Sequence, residues 1–370
     1  MLVCGCFFVN QTVEFMAKLI KILALVMLLP KLAAAAVDVV VIAPQEGSYK
    51  FYGRELADGV QIAAADINAN GGILGEKINV IVADDRCDDT FALSMAQMLS
   101  VRKEKPKLII GPYCRNRMEE AASIYAKGQI LQILPLPTDS QIPALKLSGS
   151  RSSQAETFFA YYRQKLSEKN VALVYSSDKG DLMNAASAIQ QKFLQNGMSN
   201  RLTGYDFLNY DKDFNRLARE VLLNNRVVYI LGQSKQIAKL TRELKNQAED
   251  VDVFAERYAL ADNYAEILGS AANNNYYLGL KSFKDSPYFT ETLVRLRLQG
   301  KEPVGLGVYG FAALNLWADM VKKSTSFEYS KLLKVKNWGY QMPWGIWSPE
   351  KMQSLYGVFC SDGGEYAQVY

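Results

Sequence analysis

Val39-Val40-Val41-Ile42, then the loop Gly47-Ser48-Tyr49-Lys50-Phe51-Tyr52-Gly53, then Leu56, Val60, Ala63, Ala64 and Ile67 at helical spacing decide the fold. A continuous β-branched run predicts a strand covered on both faces, and Asn70-Gly71-Gly72 supplies the stop for the helix that follows. The unit then repeats. Strands are expected at 78–83, 108–110 and 130–134, with helices at 91–101 and 118–126 between them. Alternation of this kind predicts right-handed βαβ units and a parallel sheet. After Pro143 the pattern restarts with a helix at 154–166, a strand at 171–175 and a helix at 182–194. A helix at 214–222, a strand at 227–231, a helix at 236–246 and a short strand near Val253 follow. The expected class is therefore α/β with two serial sheets. The final third offers an amphipathic helix at 308–321 and an aromatic, irregular tail from Trp338; periodicity leaves open which sheet it joins.

The 370 residues suit two such domains, and 49% hydrophobic with 22% charged residues is a globular composition. Lys18, Lys21 and Lys31 against Glu14 carry +2 of the +4 net charge, which leaves no nucleic-acid footprint in the remainder. Residues 16–36 have early lysines, an apolar run from Ile22 to Leu29 and small residues from Ala33 to Ala36. That layout predicts a secretory signal peptide over residues 1–36, with Met16 as the probable true start and cleavage after Ala35 or Ala36. A membrane anchor is the competing reading, but the run is well short of the ~20 residues a span needs. The expected location is the periplasm.

Cys87, Cys114 and Cys360 would remain after export, and an oxidising compartment favours one pair with an odd thiol. Cys87 and Cys114 each follow a predicted strand, so both belong on loops at one sheet edge. A bridge there would contribute roughly 3 to 4 kcal/mol by loop closure; two unpaired buried thiols are the alternative. Spacing this wide does not suggest zinc, and no metal or other cofactor is expected.

The chain has no histidine, which removes Ser-His and Cys-His catalysis and the commonest metal ligand. No enzymatic activity is expected. Ser176-x-x-Lys179 spells a Ser-Lys pair within a polar post-strand loop. Gly305-x-Gly307-x-x-Gly310 spells a dinucleotide fingerprint, but polar Gln299-Gly300-Lys301-Glu302-Pro303 precedes it where a buried strand is required. It reads as a glycine-loosened start to a helix. Asp84-Asp85 with Asp88-Asp89 reads as a solvated loop around Cys87, with a cation site as the minority reading. In an open α/β sheet, loops at the carboxyl ends of strands face the ligand crevice. That rule singles out the loop carrying Tyr49 and Tyr52, then Tyr113-Cys114-Arg115, and Pro135-Leu136-Pro137-Thr138.

The stretch from Gly59-Val60-Gln61-Ile62-Ala63-Ala64-Ala65-Asp66-Ile67-Asn68 to Asn70-Gly71-Gly72-Ile73-Leu74-Gly75 resembles the periplasmic leucine/isoleucine/valine-binding protein family. So do Asp84-Asp85-Arg86-Cys87-Asp88, Ile110-Gly111-Pro112-Tyr113-Cys114 and Gly128-Gln129-Ile130-Leu131-Gln132-Ile133-Leu134-Pro135. The likeness is strong over residues 37–140 and looser beyond, where Val308-Tyr309-Gly310-Phe311-Ala312-Ala313 and Gly357-Val358-Phe359-Cys360 fit in order. The resemblance implies a type I periplasmic-binding-protein fold, two doubly wound parallel-sheet lobes joined by a three-crossing hinge. The implied N-terminal lobe is 37–147 plus 278–336 and the C-terminal lobe 148–277 plus 337–370. It also implies the Cys87–Cys114 disulfide, a monomer, and delivery of solute to the membrane subunits of an ABC permease. A receptor of the same fold that signals to a partner is the alternative.

The same resemblance implies a cleft binding an amino acid, amide or small carboxylate. Thr138 and the Leu136 backbone match the family's carboxylate loop, Tyr52 matches an aromatic that closes over the ligand, and Glu256 is the second-lobe acid for an ammonium. Arg115 stands where the family has serine, Gly180 where a cleft tyrosine is usual, and Gln233 near another. Arg151 occupies a hinge-side position that is commonly acidic. An arginine at 115 suits a carboxylate directly.

Overall fold

A computed structural model describes residues 36–114, 117–150, 152–210, 213–261, 264–272, 274–350, 355–362 and 365–370. The expected signal peptide up to residue 35, Arg115 and Arg151 lie outside the described residues.

The first sheet contains β1 (Ala36–Ile42), β2 (Lys77–Ala83), β3 (Leu108–Ile110), β4 (Leu131–Leu134) and β5 (Leu145–Lys146), in the order β2-β1-β3-β4-β5. All of its pairs are parallel. Helices α1 (Lys50–Ala69), α2 (Asp89–Val101) and α3 (Met118–Lys127) make the connections. The quoted β-branched run explains the layering. Val39 and Val41 bury against α1 on one face, while Val40 and Ile42 bury against α2 and α3 on the other.

After β5 the chain crosses to the second sheet. There α4 (Ser152–Lys165), β6 (Val171–Tyr175), α5 (Gly180–Gln195), β7 (Leu202–Asp206) and α6 (Phe214–Leu222) follow. They are succeeded by β8 (Val227–Leu231), α7 (Ser234–Gln247), β9 (Asp252–Glu256), α8 (Tyr264–Leu268) and β10 (Tyr276–Leu280). Burial again alternates between faces. Leu173 and Tyr229 pack with Phe158 of α4 and Ile189 of α5, whereas Val174 and Ile230 pack with Leu217 of α6 and Ile237 of α7.

The chain returns to the first lobe through α9 (Thr290–Leu298), α10 (Gly307–Ser324) and α11 (Tyr329–Val335), then forms a hairpin of β11 (Tyr340–Met342) and β12 (Gly345–Trp347). A third crossing delivers β13 (Tyr356–Asp362) and β14 (Glu365–Gln368) to the second sheet, whose order is β14-β13-β10-β9-β8-β6-β7. Its strands are parallel except for β13 and β14, which pair antiparallel. The result is two doubly wound α/β lobes joined by three crossings.

One expectation needs correction, and two others gain detail. The tail from Trp338 is largely regular, not irregular. Its hairpin, expected with the second lobe, buries Tyr340, Met342, Trp344 and Trp347 in the core around β1 and α1. Large aromatic area outweighs chain order there. The Gly305–Gly310 motif is also more than a loose helix start. Gly307 and Gly310 bring the backbone of α10 against Gly59 and Leu56 of α1, so the small residues serve a close helix crossing. No helix among the described residues is long and apolar enough to cross a membrane.

Candidate ligand-binding cleft

The carboxyl ends of both parallel sheets face one cleft, the crevice where open α/β folds take ligands. At its floor is a cavity of about 330 Å³. The first lobe lines it with Tyr49 after β1, Cys87 after β2, Tyr113 and Cys114 after β3, and Leu136 after β4. The second lobe supplies Lys179, Asp181 and Leu182 after β6, Gly232 and Gln233 after β8, and Glu256, Tyr258 and Ala259 at and after the end of β9. Asp181 also borders a second cavity of about 850 Å³, lined by Thr138, Asp139 and Ser152 and by Gly180, Asn184 and Ser187.

Of the residues singled out in the sequence, Leu136, Gln233 and Glu256 meet in the first cavity. Glu256 ends β9, is only 5% exposed and lines the cavity. Gln233 is the N-cap of α7 in a capping box with Gln236. Its backbone N–H donates to Gln236 Oε1 at 2.9 Å. Thr138 borders the second cavity instead; its N–H donates to the Gly149 carbonyl at 3.2 Å and its Oγ1 accepts from Ser140 N–H at 3.2 Å.

Tyr52 does not line the cavity. It lies on the first turn of α1, and its hydroxyl donates to the Arg257 carbonyl oxygen at 3.0 Å; Tyr49, three residues earlier, takes the cavity wall. Sequence reasoning missed Lys179, Asp181 and Tyr258. The strand-end rule, applied to β6 and β9 as it was to β1, β3 and β4, would have found them. Ser176, the other half of the Ser-Lys spelling, is buried and accepts a hydrogen bond from Gln236 Nε2 at 3.3 Å.

A Cys87–Cys114 disulfide joins the loops after β2 and β3 and forms part of the wall. Asp85 lies beneath it, 1% exposed, with Oδ1 accepting from Cys87 N–H at 3.1 Å. Burial raises its carboxyl pKa above the usual aspartate value, opposed by that hydrogen bond. Asp85 and the two sulfur atoms lie within 4.8 Å of one another, but bridged sulfurs offer no thiolate, so the trio does not fit a metal. The other acids here serve the loop: Asp84 accepts from Arg86 N–H at 2.8 Å, and Asp88 caps α2 by accepting from Phe91 N–H at 2.8 Å.

Residues 36–335 match the family described as periplasmic binding protein. The chain belongs to that family. Among similar sequences, an amino acid binding protein of Pseudomonas aeruginosa is 29% identical over 295 residues, covering 76% of this chain and 77% of that protein. A Leu/Ile/Val-binding protein of Escherichia coli is 25% identical over 313 residues, covering 82% and 84% respectively. Among solved structures, a leucine binding protein, LivK, of Thermotoga maritima superposes with a TM-score of 0.75 at 21% identity, covering 90% of this chain and 98% of that one. The fold is therefore that of the type I periplasmic binding proteins, as the sequence resemblance implied. This periplasmic binding protein is a solute-binding receptor, and its relatives are binding proteins, not enzymes.

Proposed function

We propose that this protein captures an amino acid, or a similar small polar carboxylate or amide, in the periplasm and delivers it as a monomer to the membrane subunits of an ABC permease. The observation that carries the reading is the buried Glu256 carboxyl at a cavity of about 330 Å³ bounded by strand ends of both lobes. That volume lies at the small end for ligand sites. An acid on one wall suits an ammonium, and Lys179 and the Leu136 backbone suit a carboxylate; Arg115, outside the described residues, is proposed as a further carboxylate contact on its chemistry alone. Thr138 and Gln233 are proposed as the remaining polar contacts. The printed names of the relatives support an amino acid as the solute class.

The lobes proposed to close on this solute are 37–147 with 278 onward, and 148–277 with the chain's end. Packing of the β11–β12 hairpin supports moving the last limit from 336 to about 355. A solute touching both lobes favours their closed arrangement by differential contact.

The test is a thermal-shift screen of the wild-type chain against amino acids, amides and short carboxylates, repeated with Glu256→Gln. At least one amino acid should raise the melting temperature, and the variant should bind it roughly 10- to 100-fold more weakly, the usual worth of a charged hydrogen bond. A screen without a stabilising solute would remove the receptor reading. Undiminished affinity in the variant would remove Glu256 from the site.

A further inference from the structure

Two phenols reach across the cleft and hold consecutive peptide carbonyls of the opposite lobe. Tyr52, from α1, donates to the Arg257 carbonyl oxygen at 3.0 Å, and Tyr113, from the loop after β3, donates to the Tyr258 carbonyl oxygen at 2.8 Å. The two rings stack at 5.6 Å between centroids and 11° between planes, and the Tyr258 ring meets Tyr52 edge-on at 5.5 Å. All three tyrosines are buried. The Arg257 carbonyl also accepts from Leu260 N–H at 3.2 Å, so the loop's own turn and the cross-lobe bond share one oxygen. Burial raises the pKa of Tyr52 and Tyr258 well above that of a free phenol, so both remain protonated at neutral pH.

The pinned dipeptide immediately follows Glu256. A strand end can tilt with its loop, and a carboxyl displaced by an ångström loses an oriented ion-pair contact. We propose that Tyr52 and Tyr113 are positioning residues: by clasping the Arg257–Tyr258 backbone from the other lobe they fix where Glu256 stands in the cavity and how the lobes are spaced before solute arrives. The role given to Glu256 rests on the receptor reading above; the clasp itself does not. Tyr52 does not line the cavity, which separates its role from that of an aromatic closing over the solute, while Tyr113 holds the Tyr258 carbonyl from the cavity wall.

The experiment is hydrogen exchange on the unliganded full chain for wild type, Tyr52→Phe, Tyr113→Phe and the double variant. Phenylalanine keeps the stack and removes only the hydroxyls. In the double variant the amides of residues 257–260 should exchange about ten-fold faster or more, as expected for two lost hydrogen bonds, with each single variant smaller. Amides of β8 should keep their wild-type rates, and small-angle scattering should give a larger radius of gyration. Unchanged exchange at 257–260 in the double variant would overturn the proposal. So would a uniform acceleration that includes β8, because a merely structural role would act that way. Glu256→Gln should leave these rates alone while losing its solute response, so failure of the solute screen and failure of the clasp are separate results.

Discussion

A Cβ placed on Gly59 would lie 1.9 Å from the carbonyl oxygen of Gly307. The same crossing brings Gly310 within 2.4 Å of the Leu56 carbonyl by that measure, so α1 and α10 touch backbone to backbone at the centre of the first lobe. Backbone cannot rotate aside as a side chain can. Gly59→Ala should therefore cost about 2 to 3 kcal/mol, the range for overpacking a close contact. Urea unfolding checks this, and a midpoint equal to wild type would show that the helices separate freely.

The Cys87–Cys114 bridge closes a loop with a sequence separation of 27 and braces the cavity wall. Cys87→Ser with Cys114→Ser should lower stability by roughly 2 to 4 kcal/mol. A digest mapped without reduction should yield the peptides of Cys87 and Cys114 joined to each other. Alkylation of Cys87 in unreduced protein would contradict the bridge.

Much of the fold was legible because parallel strands buried on both faces read as apolar runs: β1, β6 and β8 stand where Val39–Ile42, 171–175 and 227–231 predicted them. β7 was not, since Leu202–Asp206 is an edge strand with no buried residue and carries no such run. β13 and β14 lie in an aromatic stretch whose pairing partner, β10, is 76 or more residues away along the chain from Tyr356 to Leu280, beyond the reach of local pattern. Within the cleft, strand position marked the loop that carries Leu136, whereas Glu256 came only from the family resemblance. Choosing Tyr49 over Tyr52 needed the phase of α1, which sequence spacing does not fix.

Asp85 makes a pH-dependent prediction. Its folded carboxyl binds a proton more tightly than the unfolded one, so its contribution favours folding at low pH and is lost as pH rises above the ordinary aspartate value of about 3.9 and through the raised folded one. Asp85→Asn keeps an acceptor for the Cys87 N–H and removes the buried charge. The variant should melt higher than wild type at pH 7, and the difference should vanish below about pH 3.9. A constant difference across that interval would mean that Asp85 does not change its ionisation there.

Lys179, in the loop after β6 of the same lobe, lines the cavity that Glu256 also lines. Lys179→Met should weaken carboxylate solutes roughly 10-fold or more, and more strongly at low ionic strength. Isothermal titration of the best solute from the screen at two salt concentrations checks both parts. Equal affinity at both salts would place the lysine outside the contact.

The last strands have a protective consequence. β13 occupies the flank of β10 from Tyr276 to Leu280, with Tyr356 and Val358 sealed inside, and β14 then becomes the outermost rim. A chain cut before Tyr356 would present a row of bare peptide groups beside a raw apolar surface, an invitation for one molecule to zip onto the next. The strands from Tyr356 onward thus act as a selvedge, keeping the second sheet from fraying into aggregates.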